Sequence, residues 1–365
     1  MRCVVERSPS HAKRPKVACI VHHASRITQH ALRVACFVFL LTACQFPGAV
    51  HPTVKIGLAA PFEGRYRYVG YDVIYAVRLA VREANAAGGV GGYTVELVAY
   101  DDAADPVMAV EQARKLAADP EVVATVGHFR ADTTAAAEDV YAEAGIPLVS
   151  PGLVAPYADA LADELLRYLG EAELDSAALV TTGGSLGLAL QRDARVGPVV
   201  SPEETNWLAQ VLTSDAVICD AEPVMAGEVV KALRNAGWGG VFLGGPELAA
   251  SDFAAVAGDA AEGAHFVTPW PFPQDVSDTD SADFVAAYQA MGPHVEPPGP
   301  LALPAYEATW RVLEALERDI AAHGAPTREG MAAAFAEVEL GDAAMYWWYR
   351  VGDDGMLRNQ IIPGS

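Results

Sequence analysis

The chain has 365 residues, 52% of them hydrophobic, and a formal net charge of −22 from 25 Lys plus Arg against 47 Asp plus Glu. At roughly 100–200 residues per domain this length fits two domains, and the apolar content excludes a disordered chain. The acidity argues against a nucleic acid partner, because phosphate binding needs clustered Lys and Arg. The charge is uneven. Residues 1–43 hold seven Lys/Arg and one acid, so the remainder carries 18 basic and 46 acidic residues, a formal charge of −28.

A basic head on an acidic body reads as a targeting segment. Arg33 precedes an apolar run of about ten residues ending at Ala43-Cys44. That is too short to span a bilayer, which takes roughly 20 residues, but suits the apolar centre of a signal peptide. Leu41-Thr42-Ala43-Cys44 resembles the bacterial lipoprotein cleavage box. The resemblance implies cleavage before Cys44, a lipid anchor on Cys44 and an extracytoplasmic location. The alternative is an ordinary signal with an incidental Cys44. Residues 45–53 form a Pro/Gly-containing tether, so 44–53 separates anchor from body. Cys219, the one thiol left unmodified, falls in an apolar strand and reads as inert core.

From residue 54 strands and helices alternate. Strands are expected at 54–59, 93–100, 122–126 and 146–149, with helices at 71–86, 106–118 and 133–144. A second block follows, with strands at 177–182, 216–219, 241–243 and 264–267. Its helices are expected at 160–169, 186–194, 226–236 and 253–257. Helices at 282–290 and 304–322 come next, with a short one at 331–335. A terminal hairpin pairs 345–351 with 357–362 around Gly352-Asp353-Asp354-Gly355. The fold class is α/β: two doubly wound parallel-sheet lobes. In such sheets ligands sit beyond the carboxyl ends of the strands, so a pocket is expected between the lobes.

The loops at those ends are similar to one family. Lys55-Ile56-Gly57-Leu58-Ala59-Ala60-Pro61, Glu83-Ala84-Asn85-Ala86-Ala87-Gly88-Gly89 and Asp101-Asp102-Ala103-Ala104-Asp105-Pro106 resemble type I periplasmic solute-binding proteins. So do Val126-Gly127-His128, Gly145-Ile146-Pro147-Leu148-Val149-Ser150-Pro151-Gly152 and Phe242-Leu243-Gly244-Gly245-Pro246-Glu247. The nearest branch is that of the leucine/isoleucine/valine-binding proteins. The resemblance implies lobes joined by a three-strand hinge, 54–157 plus 268–340 and 158–267 plus 341–365. It implies a small solute in the cleft, an ABC permease as membrane partner, no cofactor, no catalysis and a monomer. The family's ligand-binding hydroxyls fall on Ala131 and Val154, and its ammonium-binding Glu best matches Glu247. A cysteine pair common in the family falls on Ala104 and Arg130.

The candidate ligand residues follow from these loops. Phe62, Arg65 and Tyr68 sit in a loop of aromatics and Arg, suited to stacking and bidentate anion binding. Arg130, Ala131, Asp132 and Thr133 begin a helix whose N–H groups can hold a carboxylate, and Asp132 also suits an N-cap. Ser150, Gly152 and Val154 form the next loop. Glu222 and Glu247 suit a cationic nitrogen, and Trp270 the mouth of the cleft. His128 reads as a structural loop histidine.

Asp275, Asp278, Asp280 and Asp283 lack the Gly and terminal Glu of a calcium loop, so no metal is expected. Gly183-Gly184-Ser185-Leu186-Gly187 matches the nucleophile elbow of serine hydrolases. Its alternative is a glycine-rich strand–helix turn. A ligand sensor of the same fold is a further alternative to transport.

Overall fold

The computed structural model describes residues 51–151, 155–276, 279–336, 346–352 and 357–360. The expected signal segment, Cys44 and most of the tether lie outside these residues, as do Gly152 and Val154. Among the described residues no helix is long and apolar enough to cross a membrane.

The first lobe begins with β1 (Thr53–Ala60), α1 (Arg67–Ala86), β2 (Thr94–Asp101) and α2 (Pro106–Ala118). It continues through β3 (Val122–Gly127), α3 (Ala131–Ala144) and β4 (Leu148–Val149). The strands pair in parallel in the order β2-β1-β3-β4. Helix α1 starts earlier than the apolar spacing suggested, because Arg67 and Tyr68 continue the register that places Val69, Val73, Ile74, Val77 and Ala80 on the buried face. Asp105 caps α2 by accepting from the N–H groups of Val107 and Met108 at 2.8 and 2.9 Å. Gly145 ends α3 at φ 66°, a left-handed conformation that glycine adopts without penalty.

The second lobe comprises α4 (Ala155–Glu171), β5 (Ala177–Thr181), α5 (Ser185–Leu190), β6 (Val196–Val200) and α6 (Trp207–Val211). β7 (Ala216–Asp220), α7 (Pro223–Asn235), β8 (Val241–Gly244), α8 (Ser251–Ala257) and β9 (His265–Thr268) follow. Strand β6 is not apparent in the sequence, since Gly197 and Pro198 interrupt its apolar run. It lies at the sheet edge, where proline is tolerated.

Helices α9 (Thr279–Gln289), α10 (Ala302–His323) and α11 (Arg328–Ala336) return to the first lobe. Their Phe284, Tyr288, Ala305, Val312, Leu316 and Met331 share one core with Ile56 and Leu58. β10 (Trp347–Val351) and β11 (Leu357–Gln360) then extend the second sheet as an antiparallel pair. That sheet runs β11-β10-β9-β8-β7-β5-β6.

Both faces of the second sheet are covered. Val217 and Cys219 point into one core and Ile218 into another, as the two-residue period of a strand requires. This burial explains the continuous apolar run 216–219. Cys219 is buried, and burial pushes its thiol pKa well up, which suits an inert core residue.

Candidate functional site

The loop after β1 is drawn against α1. Gly70 permits this, since a Cβ there would lie 2.1 Å from the Pro61 carbonyl oxygen. The Phe62 N–H donates to Asp101 Oδ1 at 2.8 Å, fixing the loop's start. Gly64–Tyr66 form one 3₁₀ turn that places Tyr66 and Tyr68 with ring centroids 6.5 Å apart. Phe62 packs on the first-lobe core, while Arg65 is exposed.

The loop between β3 and α3 rests on a buried polar network. His128 Nδ1 lies 2.5 Å from Asp102 Oδ2, and Nε2 lies 3.2 Å from the Tyr141 hydroxyl. Both ring nitrogens are thus engaged, one by the carboxylate and one by the phenol. The His128 carbonyl accepts from Thr134 Oγ1 at 2.7 Å and from the Ser150 hydroxyl. His128 is therefore structural, and Ser150 ties the β4 loop to the same carbonyl.

Arg130 follows this anchor. Its guanidinium carbon stands 4.0 Å from the Tyr66 ring centroid, a cation–π distance. Asp132 is 3.3 Å away, and Arg130 Nε is buried without a well-formed hydrogen bond. Burial acts against its charge, but Tyr66 and Asp132 outweigh it and raise its pKa. Asp132 is not the N-cap: Arg130 occupies that position in extended backbone, and Asp132 sits in the first turn, accepting from the Thr133 N–H at 2.9 Å. Ala131 is half-buried at the first helical position. Thr133 is buried, its hydroxyl donating to the Arg130 carbonyl at 3.2 Å.

Three carboxylates of the second lobe complete the cluster. Asp220 ends β7 and accepts from the Thr181 hydroxyl at 2.8 Å and the Gly187 N–H at 2.9 Å. Burial raises its pKa, and Arg130 opposes the rise. Glu222 is buried and caps α7, accepting from the Val224 N–H at 2.8 Å. Its role in the structure is thus a helix cap.

Glu247, in the turn Pro246–Ala249, makes no ion pair among the described residues. It keeps partial solvent contact, yet surrounding protein desolvates its carboxyl and nearby Asp220 repels its charge. Together they push its pKa up to about 7, against the pull of Arg130. Tyr66 and Tyr68 have raised pKa values, from burial first; Glu247 raises both, and Arg130 opposes it. Tyr66, Tyr68 and Arg130 of one lobe are thus within electrostatic reach of Asp220 and Glu247 of the other.

Gly183-Gly184-Ser185-Leu186-Gly187 has a structural explanation here. A Cβ on Gly184 or Gly187 would lie 2.7 or 2.5 Å from the Asp220 carboxylate, so the glycines make room for it. Ser185 is exposed at the start of a six-residue helix. His323 lies 2.7 Å from the Asp319 carboxylate, and the His265 ring lies against Tyr168.

A cavity of about 680 Å³ flanks the cluster and shares Tyr68 and Pro246 with it. Trp270 is half-buried on the first-lobe core and lines this cavity. Among the described residues no group of three or more His, Cys, Asp or Glu is placed to hold a metal ion. Asp278 of the acidic run lies outside those residues.

Sequence reasoning missed Asp220 and Tyr66. Asp220 had a readable signal, a carboxylate at the carboxyl end of an apolar strand. Tyr66 stood in the selected loop, but nothing in its spacing paired it with Arg130.

Two α/β lobes with charged and aromatic side chains converging between them define a solute-binding class of protein. The chain belongs to the periplasmic binding protein family, whose model matches residues 53–196 and 208–361. It is 27% identical to a leucine-, isoleucine-, valine-, threonine- and alanine-binding protein of Pseudomonas aeruginosa, over 73% of this chain and 78% of the relative. It is 26% identical to a Leu/Ile/Val-binding protein homolog of Brucella abortus, over 70% and 76%.

Among solved structures, it matches the branched-chain amino acid transporter substrate-binding protein LivJ of Streptococcus pneumoniae, in complex with isoleucine. The TM-score is 0.72 at 21% identity, covering 85% of this chain and 99% of that one. A solute-binding protein of an R. palustris ABC transporter, in complex with benzoate, matches at TM-score 0.68 and 19% identity, covering 84% and 95%. The type I fold and the leucine/isoleucine/valine-binding branch are those the sequence motifs suggested.

Proposed function

We propose that this chain is the extracytoplasmic substrate-binding lipoprotein of an ABC importer, anchored through Cys44. It captures a small polar solute, an amino acid, amide or related compound, between its lobes and is not an enzyme. One observation carries the reading: Arg130, stacked on Tyr66 with its Nε buried and lacking a well-formed hydrogen bond, lies near enough to Glu247 of the other lobe for its charge to pull on that carboxyl.

A ligand with an anionic end and a hydrogen-bond donor or ammonium end satisfies both groups. Arg130 offers the anionic end two parallel N–H donors where Ala131 offers no hydroxyl. Relatives named for branched-chain amino acids support the solute class. The neighbour holding benzoate supports including carboxylic acids. Lobe closure around the solute would present a form that a permease can read.

The test is a thermal-shift screen of the mature chain over amino acids, amides and carboxylic acids, since a ligand of the folded state raises its melting temperature. A hit should lose its shift in Arg130→Ala and in Glu247→Gln. A panel without any shift, or a hit indifferent to both variants, would overturn the reading.

A further inference from the structure

The cavity of about 680 Å³ beside the cluster is lined by both lobes and differs from it in chemistry. Tyr68, Tyr71, Tyr75, Trp270 and Tyr288 contribute aromatic rings to its wall. Its charged or titratable groups, apart from the tyrosines, are Arg67, Asp72, Asp252, Glu296 and His294. Arg67 is already committed, with one nitrogen 2.9 and 3.1 Å from the two oxygens of Asp252. Asp72 accepts from the N–H groups of Gly299 and Leu301 at 2.7 and 2.9 Å and serves the fold. Glu296 accepts only a 3.3 Å bond from the Ser251 hydroxyl among the described residues. The lining thus holds three carboxylates against one arginine, and that arginine is neutralised.

We propose that this cavity is a second binding site, for an organic cation: a substituted ammonium group held against aromatic faces with Glu296 as its counter-charge. Aromatic faces present negative potential, and a desolvated cation gains from several at once. An anion would meet uncompensated acids there, and a neutral apolar molecule would gain nothing from Glu296. A volume of this size takes a ligand larger than a single ammonium ion, within the roughly 300–1,000 Å³ of small-molecule pockets. The site goes beyond the proposed function: it shares Tyr68 with the central cluster, but neither Arg130 nor Glu247 lines it. Since both lobes line it, a bound cation would also hold them together.

The experiment titrates benzyltrimethylammonium and choline into the mature chain by calorimetry, with Trp fluorescence as a second signal. Physiological salt screens the general attraction of cations to an acidic protein. Saturable binding is expected, weakened about fivefold or more by Trp270→Leu and by Glu296→Gln. Tyr71→Leu, at a half-exposed position, replaces Trp270→Leu if the latter fails to fold. Equal binding of the neutral tert-butyl isostere of choline would overturn the cation claim. Absence of binding at millimolar cation, or indifference to the cavity variants, would overturn the site. Loss in Glu247→Gln with Glu296→Gln indifferent would place the cation in the central cluster, overturning this inference while leaving the proposed function standing.

Discussion

Arg67, the first residue of α1, meets Asp252, the second residue of α8, through one guanidinium nitrogen at 2.9 and 3.1 Å from the two carboxylate oxygens. The residues are 185 positions apart and belong to different lobes. This bond ties the lobes together at the rim of the cleft.

Arg67 is half-exposed, so the pair contributes little: about 0–1 kcal/mol in water, less in salt. Asp252→Ala should therefore shift the balance towards separated lobes by no more than about fivefold. Small-angle scattering at low ionic strength should show a larger radius of gyration than the parent. The difference should vanish in high salt. A difference that persists would mean that the side chain acts by packing instead.

Arg130 stacks on Tyr66 at 4.0 Å. Lysine keeps the charge but loses the planar donors and the stack. Arg130→Lys should weaken binding of an anionic solute by about 1–2 kcal/mol, and Arg130→Ala by more. Competition titration with any hit from the solute screen measures both.

Glu247 has a pKa near 7 in the folded chain against 4.5 for the ordinary group. Between these values the folded state holds a proton that the unfolded state has lost. Stability contributed by this site therefore falls as pH rises through that window. Glu247→Gln removes the loss. Its urea midpoint should match the parent near pH 4 and exceed it at pH 8. A parent that gains on the variant as pH rises would show the carboxylate to be stabilised, not strained.

His128 and Asp102 are both fully buried and joined at 2.5 Å. Asp102→Ala strips His128 of its partner inside the core. A cost of about 1–3 kcal/mol is expected, read from the midpoint of urea unfolding. The Arg130 loop loses its support in the same variant, so solute affinity should fall with stability.

Gly187 and Ser185 separate the two readings of the glycine-rich turn. A Cβ at Gly187 would come within 2.6 Å of Thr181 Oγ1 and closer still to Asp220. Gly187→Ala should therefore destabilise by about 1–3 kcal/mol. Ser185→Ala, at an exposed position, should change stability by less than about 0.5 kcal/mol and leave solute binding intact. Labelling of Ser185 by an active-site serine probe would count against a purely structural turn.

Much of the architecture was legible because local patterns report burial directly. The run Ala216–Cys219 announces a strand covered on both faces, and the spacing Ile74, Val77, Val81 announces a helix lying on a sheet. The edge strand Val196–Val200 was not legible, because an edge tolerates Pro198 and exposed side chains that blur the pattern. Helix starts shifted for a related reason. Arg67 is helical yet exposed, and Tyr68 is an aromatic only partly buried at the edge of the core, so neither extends the aliphatic spacing.

Composition, local spacing and loop motifs carry the α/β class, the family and the candidate cleft loops, since each depends on neighbours along the chain. The same motifs supplied Arg130 and Glu247 as candidates from their places in those loops. Their partners follow from the packing of distant elements. Arg130 rests on Tyr66 rather than in a simple helix-terminal anion site, Glu222 caps its own helix, and Asp220 occupies the space that two glycines leave open. The Arg130–Tyr66 and Asp220–glycine pairings join residues 33 to 64 positions apart. They arise from the packing of one element on another and from desolvation in the cleft, neither of which leaves a periodic trace in the chain.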